Sequence, residues 1–555
     1  MTWKPISPDL TGEPEKPAET KKDASGNKPE EAERREAQAG DRGVILTIAP
    51  SPLSASEIWA GTSTGAIHLT RDDGGNWQNV TPPGLPAKTR VLLIEASPFD
   101  ANVAYVAFAV QRDTHPYFYR TRDAGKSWDR IVTGLPEFGI ARVVREDPAR
   151  RGLLYAGTET GVFLSSDSGD HWQSLQLNLP AASVRDLAVH GDDLVAATFG
   201  RALWILDDLA PLRQADPAIA NSAVHLFASQ TALRVRWDSH PDTPLSADLP
   251  AAENPPDGAI LDYYLKSAPK GEITLDILDQ KKNRLRRFSS VPPAPDLRPP
   301  NVPDYWFAPP EVLSTQPGMH RIVWNLRYEH PPSLTYSYGG NLINYIEYTL
   351  PDHAIPGHTP RYQPEGSLVV PGHYEVVLTV DGKSISEPMS VELDPRVHVS
   401  APDLIAQSEL ALQIAEAMTV SYKVFNDAAI LRAEVSARQK DLTGNAQVKE
   451  LQDALSALEK QIAEVTEGTE AAPGAGPANR DLTRYFIMIE TADIRPPDSA
   501  RAAAEASCRA LQKDLEQWKK LNAEVVPALN KQLELSKRKA LPAAANQMSA
   551  LACAH

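Results

Sequence analysis

Acid/base cleavage of a glycosidic bond needs two carboxylates about 5–10 Å apart, and a site for an acidic sugar adds arginines around the substrate carboxylate. The residues whose types fit that chemistry are Asp113 and His115 in one loop, Glu159 in a glycine turn, and Arg201 in another. Their spacing forms no constellation, and each reads first as a solvated loop residue or half of a structural ion pair. The chain has no His/Glu metal motif, no Gly-Lys-Ser/Thr phosphate loop and no Gly-x-Ser-x-Gly elbow. No cofactor or metal is expected, and catalytic residues stay unassigned. Cys508 and Cys553 are the only cysteines, too few for a disulfide framework or a Cys-based metal site. Cys508 lies on an apolar helical stripe and is expected as a buried, inert thiol.

Three more aspartates recur in a fixed setting, Ser/Thr-x-Asp-x-Gly-x-x-Trp. The copies carry Asp72, Gly74 and Trp77, then Asp123, Gly125 and Trp128, then Asp167, Gly169 and Trp172. They start at Thr70, Thr121 and Ser165, so they lie 51 and 44 residues apart, the spacing of propeller blades. In such a hairpin the Asp accepts backbone N–H groups, the Gly takes a positive φ, and the Trp starts the next strand and packs back onto its blade. Identical turns on separate blades cannot converge on one substrate, so these residues are structural.

The strands that must carry these turns are legible around them. Ile58–Thr62 leads to Ala66–Leu69, and Leu154–Thr158 to Val162–Leu164; the middle copy, Ala104–Phe108, has a longer turn at residues 111–116. A fourth copy, Leu194–Thr198 to Ala202–Leu206, stops at Asp207-Asp208 without a box. Trp3-Lys4-Pro5-Ile6-Ser7 aligns with Trp77-Gln78-Asn79-Val80-Thr81 as the outer strand of a blade. The expectation is three whole blades, one outer strand and one three-strand remnant. A four-blade closure of strand 3–7 onto 202–206 is permitted, but an open or strained arc is favoured, with more blades and a secretion signal encoded upstream.

These boxes, with Ile6-Ser7-Pro8-Asp9-Leu10-Thr11, Gly157-Thr158-Glu159-Thr160-Gly161, Leu179-Pro180, Thr198–Asp208, Asn254–Ala259 and Asp394-Pro395-Arg396-Val397, resemble a bacterial family of large secreted proteins described as sortilin-like or BNR/Asp-box glycosyl hydrolases. The likeness spans most of the chain and corresponds to the later part of a typical member. It implies a secreted or periplasmic protein, although Met1-Thr2-Trp3-Lys4-Pro5 does not open a signal peptide and the chain as written would be cytoplasmic. Phe199 stands where the family usually has His. The family brings no agreed catalytic residues.

Beyond the boxes, 555 residues exceed one core and imply several domains. The expected fold class is mainly β with C-terminal α: a partial Asp-box β-propeller (1–212, with a solvated loop at 11–42), a proline-rich crossover (213–257), an immunoglobulin/fibronectin-like sandwich (258–397), a helical hairpin or bundle (398–540) and a flexible tail (541–555). Period-two runs at Ile273, Leu275 and Ile277, at Ile322, Trp324 and Leu326, and at Tyr374, Val376, Leu378 and Val380 carry the sandwich. Its insertions at 289–318 and 331–370 hold aromatics that bind a sugar or peptide or, by preference, pack on the propeller. Ser400 with Asp403 caps a helix running to about residue 440, residues 469–479 read as a flexible connector, and the helical region beyond about residue 400 is expected to be an independent unit.

A formal net charge of −16 argues against nucleic acid or an anionic membrane surface as partner, and no run reaches the ~18 apolar residues of a membrane span. Oligomeric state is not set by the sequence. Two functions stay open: a sortilin-like scaffold that binds a peptide or glycan, which is favoured, and a carbohydrate-active hydrolase of the sialidase-like Asp-box type.

Overall fold

The computed structural model describes residues 4–11, 43–236, 254–293, 307–334, 336–338, 341–343, 364–442, 449–470, 472–542, 551 and 553. Trp3, most of the 11–42 loop, and much of the 213–257 crossover, the sandwich insertions and the 541–555 tail lie outside these residues. The chain divides into two compact units, Met1–Ala215 and Asp216–His555. Together they are mainly β with C-terminal helices: a partial β-propeller in the first unit, an immunoglobulin-like sandwich and a helical bundle in the second.

Three antiparallel meanders of four strands each form the whole blades of the first unit. They are β1 (Ile45–Pro50), β2 (Ile58–Thr62), β3 (Ile67–Thr70) and β4 (Gln78–Asn79); β5 (Thr89–Ala96), β6 (Ala104–Val110), β7 (Tyr117–Thr121) and β8 (Asp129–Arg130); and β9 (Ala141–Glu146), β10 (Leu154–Thr158), β11 (Val162–Ser165) and β12 (Gln173–Ser174). A fourth sheet holds only β13 (Val184–His190), β14 (Asp193–Thr198) and β15 (Leu203–Leu206). The first strands of successive blades lie side by side at the centre. Every residue of β10 and β11 is buried, because a strand covered by a blade on each face needs apolar residues throughout rather than alternation.

Each Ser/Thr-x-Asp-x-Gly-x-x-Trp turn joins the third and fourth strands of its blade. Thr70, Thr121 and Ser165 accept from the N–H of Gly74, Gly125 and Gly169 at 3.0, 2.8 and 2.8 Å. Asp72, Asp123 and Asp167 accept from the N–H four residues on at 2.8, 2.8 and 2.9 Å. Each glycine has a φ between 81° and 93°, in the left-handed region that a side chain resists.

The tryptophans depart from expectation, for they reach away from their own blades. The Nε1–H of Trp77, Trp128 and Trp172 donates to the carbonyls of Ile6, Val80 and Ile131, at 2.9, 2.8 and 3.0 Å. Val80 and Ile131 follow the outer strands of the preceding blades, where a carbonyl beyond the ladder is free to take an indole proton. Trp172 also lies against Phe118 of the preceding blade, with ring centroids 6.0 Å apart. The box tryptophan is thus a staple between blades.

In the second unit, β16 (Val224–Leu226), β18 (Ala259–Leu265) and β21 (Gly318–Trp324) form one sheet in the order β16-β18-β21. The other runs β17-β25-β24-β19-β20, from β17 (Ala232–Arg234), β19 (Thr274–Leu278), β20 (Arg284–Ser289), β24 (Gly372–Val380) and β25 (Lys383–Leu393). The ribbon of β22 (Tyr336–Tyr338) and β23 (Asn341–Ile343) stands apart from both. Alternate residues of the two sheets close a single core around Trp324, whose indole donates to the Arg327 carbonyl at 2.8 Å.

The helices are α1 (Ala401–Leu442), α2 (Lys449–Glu467), α3 (Ala475–Glu490), α4 (Asp498–Lys520) and α5 (Val526–Leu535). Ser400 Oγ caps α1 and meets Asp403 at 2.6 Å. Leu451, Leu455, Leu458, Ile462 and Val465 of α2 join Leu511, Leu515 and Trp518 of α4 in one buried cluster. A π-helical turn, Leu521–Val525, precedes Pro527, which lacks the donor a regular turn would need there.

Three expectations are corrected here. Cys508 is not a free thiol: it is bonded to Cys553 across 45 residues, because Leu551 packs into the helical core and brings the far segment to α4. The connector at 469–479 is ordered where described, as a hairpin of β26 (Gly468–Thr469) with β27 (Ala472–Pro473) followed by the first turn of α3. The helices are not independent of the sandwich, since buried polar contacts join them. Arg234, 2% exposed, pairs with Asp493 at 2.9 Å. Asn479 accepts from the Leu334 N–H at 2.9 Å and donates to the Met418 carbonyl at 2.9 Å. The described ends of the 331–370 insertion therefore rest on the helices.

Candidate functional site

The inner strands of a propeller wall its channel, and the loops between second and third strands form one rim of it. In this chain each inner strand has a register shift near that rim: between Ile45 and Thr47, Val91 and Leu93, Ala141 and Val143, and Val184 and Asp186. Such a bulge re-aims the extra side chain. The bulged residues are Leu46, Leu92, Arg142 and Arg185, so the third and fourth blades place an arginine at the same point.

These two arginines gather on Glu159, in the rim turn of the third blade. Arg142 Nε donates to Glu159 Oε1 at 2.6 Å and a second guanidinium nitrogen binds the same oxygen; Arg185 Nη1 stands 3.8 Å from it. Burial would push the Glu159 carboxyl upward, but Arg142, Ser183 and Arg185 outweigh it and hold the pKa below its ordinary value. Arg185 also lies over the exposed ring of Phe199, 4.8 Å from the centroid. Deeper in the wall, Arg145 on β9 bridges Glu95 on β5 at 2.8 Å and Asp186 on β13 at 2.9 Å, tying three blades. Burial raises the Glu95 carboxyl against the opposing charge of Arg145.

Asp113 and His115 belong to the long rim loop of the second blade. Asp113 accepts from the His115 N–H at 2.9 Å, meets the His115 ring at 2.6 Å and accepts from the Tyr117 hydroxyl at 2.7 Å. These bonds, the backbone one first, pull its carboxyl down to about 2. His115 lies 5.4 Å from the ring of Phe138, which is exposed in the neighbouring rim loop. Arg201 is exposed in the fourth-blade turn, and its carbonyl accepts the Trp204 indole proton at 2.7 Å.

The rim therefore unites Glu159 with two arginines that sequence reading had passed over, while Asp113 and His115 form a separate cluster with Tyr117. No contact in the described structure joins Asp113 to Glu159. The missed signal was the equivalent placement of Arg142 and Arg185, 43 residues apart on successive inner strands. Chemically, the surface offers guanidinium donors, fixed anions and exposed Phe138 and Phe199 rings. Such a surface suits a polar ligand with apolar faces. Among the described residues, no group of His, Cys, Asp and Glu is arranged to hold a metal ion.

Fold and rim together define a partial β-propeller with a charged inner wall, joined in one chain to a sandwich and helices. No protein-family model matches the chain. Curated relatives are an oligoxyloglucan-reducing end-specific xyloglucanase of Emericella nidulans, 29% identical over 110 residues, and a probable enzyme of the same name from Neosartorya fischeri, 28% identical over 109. Each match covers 19% of this chain and 13% of the relative's length. Similar solved structures include YCF48 bound to D1 peptide, at 22% identity and TM-score 0.23 over 28% of this chain and 48% of that one. The GH74 xyloglucanase from Xanthomonas campestris gives 19% identity and TM-score 0.24, over 28% and 27% of the two chains.

Proposed function

We propose that this chain is a sortilin-like Asp-box propeller scaffold that binds a peptide or glycan ligand on its rim. The observation that carries this reading is the state of the rim carboxylates. Asp113 already accepts from His115 and Tyr117, and Glu159 from Arg142; these bonds lower both carboxyls, and no contact among the described residues pairs the two as the acid and base of a glycosidase are paired. Arg142, Arg185 and the Phe138 and Phe199 rings offer recognition contacts on that rim. The second reading, a glycan hydrolase, is favoured by the short match to xyloglucanases. Screening the full chain on an array of glycans and peptides, followed by analysis of each hit for cleaved product, tests the proposal. Retention without product supports the scaffold; turnover of a retained glycan overturns it.

The Cys508–Cys553 bond supports export to an oxidising compartment, secreted or periplasmic, where such bonds persist. Alkylation of thiols in intact producing cells tests this: two modified cysteines would place the mature chain in a reducing compartment.

A further inference from the structure

The seam between the sandwich and the helices gathers more positive than negative charge. Arg234 ends β17, where it lies opposite Leu393 of β25, and its side chain reaches across to the residues that follow α3. Its Nη2 meets Asp493 Oδ1 at 2.9 Å, but the same oxygen also accepts from Arg236 Nε at 2.6 Å. Arg236 reaches Glu490 Oε2 at 3.4 Å, and Arg327 stands 3.9 Å from that oxygen. Glu490 is engaged further by the Ser367 hydroxyl and the Leu368 N–H, at 2.6 and 3.3 Å. Three guanidiniums thus share two buried carboxylates. Glu365, nearer to solvent, stands 3.8 Å from Arg327. Burial lowers the pKa of Arg234, and Asp493, Arg236, Glu490 and Arg327 follow in weight, two anions against two further cations.

The hydrogen bonds fall short in the same place. A guanidinium carries five N–H donors, and in Arg234, 2% exposed, Nε and Nη1 have no acceptor in the protein. The carbonyls at the end of α3 are already taken: that of Glu490 by Arg236, and those of Ile489 and Ala492 by Gln407 Nε2, at 2.6 Å each. A donor buried without an acceptor bears its full desolvation penalty, and a buried cation bears more unless opposite charge is brought to it. Water would supply an acceptor but no charge. A small anion supplies both. Nη2 is in use, so each edge of the Arg234 fork offers one free donor, and an oxyanion that needs two parallel donors is a poorer match than a one-atom ion.

We propose that this seam is a halide site, in which one chloride ion accepts from Arg234 and balances the third guanidinium. The ion binds the closed seam and not the separated sandwich and helices, so it holds the two together by mass action. The site lies within the second unit and is independent of the propeller rim and its ligand.

Hydrogen exchange on the full chain, in sodium chloride and in sodium methanesulfonate of equal ionic strength, tests this. Peptides from β17 and from the end of α3 should exchange about tenfold more slowly for each tenfold rise in chloride above its Kd, while those from β10 stay unchanged. Methanesulfonate should give no such slope. Arg234→Met should abolish the chloride slope, since Asp493 and Glu490 then balance Arg236 and Arg327. In crystals of the native chain grown with bromide, an anomalous peak should lie beside Arg234 Nε or Nη1, and this decides the question if Arg234→Met does not fold. An equal slope in the two salts, or a chloride slope retained in Arg234→Met, would overturn the proposal. So would a water beside Arg234 in place of bromide, for instance one shared with the unpartnered Gln407 Oε1.

Discussion

Replacing Trp172 with Ala should open the second and third blades together, although Trp172 belongs only to the third. The indole is 5% exposed, packs on Phe118 of the preceding blade and donates to the Ile131 carbonyl. Removing a buried tryptophan costs about 3–5 kcal/mol. The carbonyl left without its donor adds about 1 kcal/mol. Trp172→Phe keeps most of the buried area and should cost about 1–2 kcal/mol, chiefly the lost hydrogen bond and imperfect filling. Trp77 is only half-buried, so Trp77→Ala should cost clearly less than Trp172→Ala. A chain of two units has no single unfolding free energy, so hydrogen exchange of individual strands is the suitable assay. Peptides from β6, β7, β10 and β11 should lose protection together in Trp172→Ala, while those from β24 and α1 keep theirs. Unchanged protection in β6 and β7, or an equal loss in Trp77→Ala, would refute the staple.

Further outcomes follow from the second unit. Cys553→Ser releases a 45-residue closure and should lower the stability of the helical region by about 4 kcal/mol on loop entropy, read by thermal melting with and without reductant. Asp514, 6% exposed with one carboxylate oxygen unpartnered, has its pKa pushed up by burial to about 7. The native state then holds a proton that the unfolded carboxyl loses near pH 4, so stability should fall as pH rises between about 4 and 7. Asp514→Asn should flatten that part of the melting profile; an equal slope in both proteins would sink the assignment. Asp493→Leu strands the buried Arg234 guanidinium in the seam between sandwich and helices, while Arg236 keeps Glu490, and should cost about 3–5 kcal/mol, largely recovered when Arg234→Met is added. Urea melts of the single and double variants measure this.

What the sequence discloses here depends on whether a feature is local. The blade turns are self-contained: Thr70, Asp72 and Gly74 bond to one another, so eight residues announce the hairpin. Period-two runs at Ile273–Ile277 and Tyr374–Val380 likewise announce their sheet. The tryptophan staples were read onto the wrong blade because their acceptors lie 41, 48 and 71 residues away, where spacing carries no sign of them. Arg142 and Arg185 were missed for the same reason: a bulge aims them at Glu159, and a bulge is a property of two strands paired. The disulfide was hidden because Cys508 sits on a helical stripe that satisfies packing logic by itself.

The proposed function is binding at the rim without cleavage. Isothermal titration of the full chain with the ligand retained on the array, in parallel with Arg142→Ala and Arg185→Ala, is the direct measurement, with the same samples assayed afterwards for new reducing ends or new amino termini. The expected result is saturable binding that weakens at least tenfold in each variant, with the ligand recovered intact. Cleaved ligand, or binding indifferent to both arginines, would contradict it.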